Sequence, residues 1–210
     1  MGIIHHGAPT ELILALKEAS GIENFVETGT LVGDTAAWAA NNFRRVVTIE
    51  NESGRFGKAV QRFGGTPNVT VVFGNSPDIL NYCCPSIIKE PSIFWLDAHW
   101  MGINSGTGGE GLECPVIAEI AAINSSLKPQ SHIILVDDAR LFSAPPPSPH
   151  DASQWPDLNA VVSALYNYRT RYVVLFEDAL ISVPQNMKPF LVKYLQERIT
   201  KDWLVRNGLK

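Results

Sequence analysis

The sequence predicts an α/β fold: a doubly wound sheet of seven strands, parallel except for one antiparallel strand near the C-terminus. Three observations lead there. From residue 22 onward, short β-branched or aromatic runs alternate with stretches of helical period, the pattern of strands joined by crossover helices. The first five runs each end at once in small or polar residues, as do strands whose carboxyl ends frame a ligand crevice. The last two runs are separated by little more than Glu177-Asp178-Ala179, too short for a parallel crossover, so they pair antiparallel.

Leu12, Leu16 and Ala19 give an opening helix its apolar face, and Gly21 is placed to end it. Residues 1–21 thus read as an N-terminal helical extension ahead of a core over 22–210, the whole forming one domain, 1–210. A first strand is expected at Asn24–Glu27, then a turn through Gly29 and Gly33, then a helix near Thr35–Asn42. Further strands follow at Arg45–Ile49, Val69–Phe73, Ile93–Leu96 and Ile133–Val136, and the closing pair at Tyr172–Phe176 and Leu180–Val183. Met187, Phe190, Leu191, Tyr194, Leu195 and Ile199 have helical spacing and should lay one face on the sheet. Two irregular stretches, glycine-rich Trp100–Cys114 and proline-rich Leu141–Gln154, each follow a strand end and are placed to roof the crevice.

Composition bounds the function. A chain of 210 residues, 45% apolar and 18% charged, buries roughly 70% of its unfolded surface and needs no disulfide or structural metal to fold. With 17 basic against 21 acidic residues, a net charge of −4 and no basic run, nucleic-acid binding is not expected. Apolar stretches such as Ile133–Val136 are strand-sized, so no membrane span is expected either. The start, Met1 to His6, lacks the features of a secretory signal, which points to the cytoplasm. Cys83, Cys84 and Cys114 fit neither a disulfide framework nor a zinc site and read as reduced thiols in packing positions.

The chemistry-bearing residues sit at the strand ends. The first turn, Glu27-Thr28-Gly29-Thr30-Leu31-Val32-Gly33, lacks the glycine triple of a dinucleotide fingerprint. Gly29 lets backbone approach a ligand, and Glu27 can accept from an ammonium group. Glu50 ends the second strand, 21 residues beyond Gly29, where a two-oxygen acceptor can take both hydroxyls of a ribose. Further ends read Gly74-Asn75-Ser76, Asp97-Ala98-His99-Trp100 and Asp137-Asp138.

The acid with glycines two and six residues on resembles the first motif of class I S-adenosylmethionine (SAM)-dependent methyltransferases, with the middle glycine replaced by Leu31. Together the ordered strand ends resemble the metal-dependent O-methyltransferases of the catechol O-methyltransferase group, over roughly residues 22 to 142. The resemblance implies a Rossmann-like sheet with the last strand between the fifth and sixth. It implies a cofactor site of Glu27, Thr28, Gly29, Thr30, Gly33, Glu50, Asn75, Ser76 and Asp97, with Gly74 and Ser76 beside the adenine. It also implies Mg²⁺, or a similar divalent cation, on Asp97, Asp137 and Asp138. In the catechol enzymes a lysine after the aspartate, histidine and tryptophan run serves as base; here Met101 and Gly102 follow Trp100, and His99 is the substitute. Asp97 and His99 are thus the expected catalytic pair.

The chemistry supplies a reason for this set. A hydroxyl is a poor nucleophile until its proton is lost, and a hard cation lowers its pKa and orients it. The expected partner is a small-molecule acceptor with neighbouring oxygens, and a homodimer is an open alternative to a monomer. Arg140 either neutralises an anionic substrate group or braces Asp138. Trp100, Phe142 and Trp155 are candidates to wall the acceptor pocket. Two alternatives remain open. Asp97-Ala98-His99 is also the tripeptide of ureohydrolases, although Met101 stands where their next aspartate belongs, and a binding protein without turnover fits the same scaffold.

Overall fold

The computed structural model describes residues 7–82, 90–102, 112–126, 128–167 and 170–208. Seven strands form one sheet: β1 (Asn24–Thr28), β2 (Arg45–Glu50), β3 (Val69–Phe73), β4 (Ile93–Leu96), β5 (Ile133–Val136), β6 (Arg171–Phe176) and β7 (Ala179–Pro184). Their order is β3-β2-β1-β4-β5-β7-β6. The first five run parallel, and β7 alone is reversed, lying antiparallel to both β5 and β6. Every strand run read from the sequence is present, with ends shifted by one residue at most. β1, β4 and β5 are buried at every position, because helices cover both sheet faces. The edge strands β3 and β6 are only partly buried.

On one face Phe25, Trp95, Leu135 and Ile181 meet α1 (Thr10–Ser20), α2 (Asp34–Ala40), α3 (Ser53–Phe63) and α8 (Lys188–Arg206). On the other, Val26, Phe94, Ile134 and Leu180 meet α4 (Ser76–Tyr82), α5 (Val116–Asn124), α6 (Arg140–Ser143) and α7 (Leu158–Tyr166). The N-terminal helix is more than an extension: Leu12, Ile13 and Leu16 are buried in the first of these cores. It ends as expected at Gly21, which adopts the left-handed conformation and donates its N–H to the Lys17 carbonyl. The stretch expected to be irregular over Leu141–Gln154 carries most of α6 and a 3₁₀ turn at Ala152–Gln154. Asp151 caps that turn by accepting from the Ser153 amide at 3.0 Å. The glycine-rich stretch 103–111 and Cys83 and Cys84 lie outside the described residues; Cys114 is free and buried. No helix among the described residues is long and apolar enough to cross a membrane.

Far from the strand carboxyl ends, Arg171 joins the antiparallel pair to the sheet. It is 1% exposed and donates to the Ser182 hydroxyl at 2.7 Å and to the carbonyls of Pro129 at 3.0 Å, His132 at 2.7 Å and Ser182 at 2.8 Å. Burial lowers its pKa to about 10, which still leaves it charged at neutrality. Arg171→Leu leaves these buried acceptors without a donor, and we expect a loss of about 3 kcal/mol in chemical denaturation.

Candidate functional site

Four strand ends converge on a cleft open to solvent, whose walls include Gly29, Leu31, Glu50, Ser76, Asp97 and His99. The first turn is held by its neighbours. Gly29 donates to the Ile49 carbonyl at 2.9 Å, and Leu31 donates its amide to Glu50 Oε2 at 3.1 Å. Leu31 sits at φ 52, so the position of the replaced glycine keeps the left-handed backbone that a glycine adopts freely. Glu50 Oε1 accepts from the amides of Asn51 at 3.0 Å and Glu52 at 2.9 Å. Both Glu50 oxygens are therefore fixed by backbone: Oε1 accepts from two amides and Oε2 from one, which leaves the remaining acceptor capacity on Oε2. The Glu50 carbonyl accepts from Gly74 at 2.9 Å, which brings Asn75 and Ser76 alongside.

The cofactor set expected from the sequence divides between wall and foundation. Gly29, Glu50, Asn75, Ser76 and Asp97 line the cleft, whereas Glu27, Thr28, Thr30 and Gly33 are not among its lining residues. Thr48 Oγ1 donates to Glu27 Oε2 at 2.8 Å and lies 2.6 Å from Thr30 Oγ1. Burial pushes the Glu27 carboxyl up to about 8, against the Thr48 hydrogen bond. Thr28 Oγ1 accepts from the Asp97 amide at 3.2 Å, tying β1 to the end of β4. Gly33, at φ 84, starts α2 beside the Phe63 ring.

Across β4 and β5 the expected metal set comes together only in part. Among the described residues, the three acids whose ligating oxygens lie within 4.8 Å of one another are Asp137, Asp138 and Asp178. Asp97 reaches Asp138 through His99, whose Nε2 is 2.6 Å from Asp138 Oδ2 and whose Nδ1 is 3.5 Å from Asp97 Oδ1. Asp178 arrives from the β6–β7 turn, where it accepts from the Arg140 amide at 3.0 Å, and the Arg140 guanidinium joins Asp178 to Asp138. Of its two readings, Arg140 takes the bracing one. Burial, then repulsion from Asp97 and Asp138, holds Asp137 well above the usual carboxylate range. Burial also raises Asp97, with His99 opposing. For Asp138, burial is outweighed by His99 and Arg140, which hold its carboxyl below that range. Burial works against a charged His99, but the hydrogen bond to Asp138 and the surrounding acids raise its pKa.

Trp100, Phe142 and Trp155, expected to wall the acceptor pocket, are not among the residues lining the cleft, and sequence reasoning missed the acid that organises this aromatic group. Glu113 accepts from the Trp155 indole N–H at 2.8 Å and the Asp151 amide at 3.0 Å, and its Oε2 lies 3.2 Å from His150 Nδ1. This fixes Trp155 with its ring centroid 5.7 Å from that of His99 and 6.1 Å from that of Phe142. Trp100 stands edge-on to His150 at 5.2 Å. Glu119 was missed as well, although an acid inside the apolar run Val116–Asn124 was a visible signal.

No protein-family model matches the sequence, and no curated protein does. Solved structures match. The chain is similar to the O-methyltransferase TomG from Streptomyces achromogenes, involved in tomaymycin synthesis and solved with SAM, at 17% identity and TM-score 0.52 over 86% of this chain and 82% of that one. An O-methyltransferase from Bacillus cereus, solved with S-adenosylhomocysteine (SAH), gives 17% identity and TM-score 0.54 over 86% and 83%. The SAH-bound methyltransferase PaMTH1 from Podospora anserina gives 11% and 0.53 over 86% and 80%. This is the Rossmann-like methyltransferase fold. Identities this low carry the fold and not the substrate. Within it, β7 lies between β5 and β6, as the resemblance implied.

Proposed function

We propose that this chain transfers the methyl group of SAM to a hydroxyl oxygen of a small molecule, with Mg²⁺ or a similar ion held by Asp97, Asp137 and Asp138. The observation that carries the reading is Glu50. Its carboxylate is pinned by three backbone amides at the mouth of a glycine turn and lines the cleft with acceptor capacity left on Oε2, where an acid at the end of the second strand can take a ribose hydroxyl. SAM supplies a methyl group on a sulfonium, whose C–S bond breaks as the new C–O bond forms. Gly29 admits the ligand to the backbone, and Glu50 and Ser76 orient its nucleoside.

The donor chemistry fits a hard divalent cation. Asp97 and Asp137 are carboxylates at adjacent strand ends, each raised by burial and by repulsion from a neighbouring acid, a strain that a cation would relieve. When bound, such an ion lowers the pKa of an acceptor hydroxyl. Asp138 fixes the His99 ring at Nε2, and Nδ1, in the looser 3.5 Å contact, is the atom that takes the acceptor's proton. Trp155, held by Glu113, packs against the His99 ring and limits its movement. The ureohydrolase alternative is disfavoured by Met101 at its next ligand position and leaves Glu50 without a role.

Glu50→Ala should weaken SAH binding by about 1 to 3 kcal/mol in calorimetry, since a charged hydrogen-bond acceptor is lost. Incubation with SAM and Mg²⁺ over catechols, sugar diols and hydroxy acids, read by mass, tests the whole reading. A methylated product with matching SAH, lost on exhaustive chelation, is expected. Undiminished turnover after chelation removes the ion from the mechanism, and turnover of none of the three classes counts against the acceptor chemistry.

A further inference from the structure

The reaction outlined for the cleft makes no use of Glu119, one of the most deeply buried acids in the protein. It is 1% exposed, on α5, in a helix whose other buried positions are apolar. Its carboxyl shares a hydrogen bond with the Ser76 hydroxyl, from the first residue of α4. It also meets the Thr28 hydroxyl, whose oxygen accepts from the Asp97 amide at 3.2 Å. Ser76 and Asp97 line the cleft; Glu119 does not. One buried side chain thus spans the foundations of two cleft walls, the end of β3 and the junction of β1 with β4.

A buried carboxyl is costly to desolvate, and the bonds that compensate Glu119 go to hydroxyls beneath the cleft and not to its own helix. The Ser76 hydroxyl explains the placement. A serine hydroxyl has one proton and two lone pairs and rotates freely unless a partner fixes it. A rotor facing an open cleft must be ordered when a ligand binds, whereas one already bonded on its buried side presents a single polar face at no further entropic cost.

We infer that Glu119 is a positioning residue for the nucleoside: it holds the Ser76 hydroxyl, and with it the α4 wall, in the orientation that binds the ligand beyond its ribose. The inference rests on the nucleoside reading of the cleft. Burial raises the Glu119 carboxyl to about 7, with the Ser76 and Thr28 hydroxyls opposing, so those hydrogen bonds stabilise its charged form.

The test is a double-mutant cycle read by SAH calorimetry on the full chain. Glu119→Met and Ser76→Ala should each weaken SAH binding about tenfold, and the double variant should bind no more weakly than Ser76→Ala alone, because both changes remove one interaction. Glu119→Gln, which can still bond Ser76, should stay within about threefold of wild type. Glu119→Met should unfold at or above the wild-type temperature, separating positioning from a folding role; if it does not fold, Glu119→Ala takes its place in the cycle. Wild-type affinity in the Glu119 variant, or additive losses in the double variant, overturns the inference alone. Failure of the wild-type chain to bind SAH overturns the nucleoside reading and the inference with it.

Discussion

Gly29→Ala should abolish SAH binding and destabilise the protein by about 2 to 4 kcal/mol. The first part of that cost is conformational: Gly29 has φ +83, a left-handed backbone that costs an alanine about 1 kcal/mol or more. The larger part is steric. A Cβ there would lie 2.4 Å from the Asp97 carbonyl oxygen, 3.0 Å from its carbonyl carbon and 3.2 Å from the Ala98 Cα. All three are backbone atoms, so relief requires β1 and β4 to part at the point where both feed the cleft, an overpacking penalty of about 1 to 3 kcal/mol. Gly57 in α3 is the control: a Cβ there meets nothing within 4 Å, and alanine should be neutral or stabilising by up to about 1 kcal/mol. Urea denaturation with SAH calorimetry checks both, and a Gly29 variant with wild-type stability and affinity would contradict the packing described.

Asp97→Ala should eliminate methyl transfer while leaving SAH affinity within a few-fold of wild type. Asp97 stands where the nucleoside cleft meets the acid cluster, with its amide on Thr28 and its carboxylate beside His99. Its side chain is assigned to the acceptor and its ion, and the nucleoside is held by Gly29, Glu50 and Ser76. Stability supplies an independent check on sign. Burial raises the Asp97 carboxyl, so the folded state favours its protonated form, and that contribution is lost as pH rises through the folded value. Above neutrality the ionised group weighs against folding, and alanine removes it. The variant should therefore unfold at or above the wild-type temperature at pH 8 while being inactive. Full turnover would remove Asp97 from catalysis; loss of SAH binding would move it to the nucleoside side.

The strands were legible because their signals are local. Arg45–Glu50 and Val69–Phe73 are β-branched runs bounded by polar residues, and the two-residue link Glu177-Asp178 settles the antiparallel pairing of β6 with β7. Faces were harder to read. All five residues of β1 are buried, so the two-residue period gives no inward or outward side, and nothing local separates Glu27, beneath the turn, from Glu50, on the wall. Asp178 was invisible for a different reason: it lies in a short turn and reaches the acid cluster only because β7 folds back beside β5. Glu113 and His150 are 37 residues apart and meet only in the folded chain. The opening helix read as an appendage because its amphipathic stripe does not say what it packs on, and three of its residues proved to be core.

Calorimetric titration of the purified chain with SAH, run beside an identical titration with NAD, bears most directly on the proposal that this cleft holds a sulfur nucleoside. Saturable binding of SAH, weakened by about 1 to 3 kcal/mol in Glu50→Ala, with no comparable response to NAD, is the result expected. Tight binding of NAD with no response to SAH or SAM would contradict it.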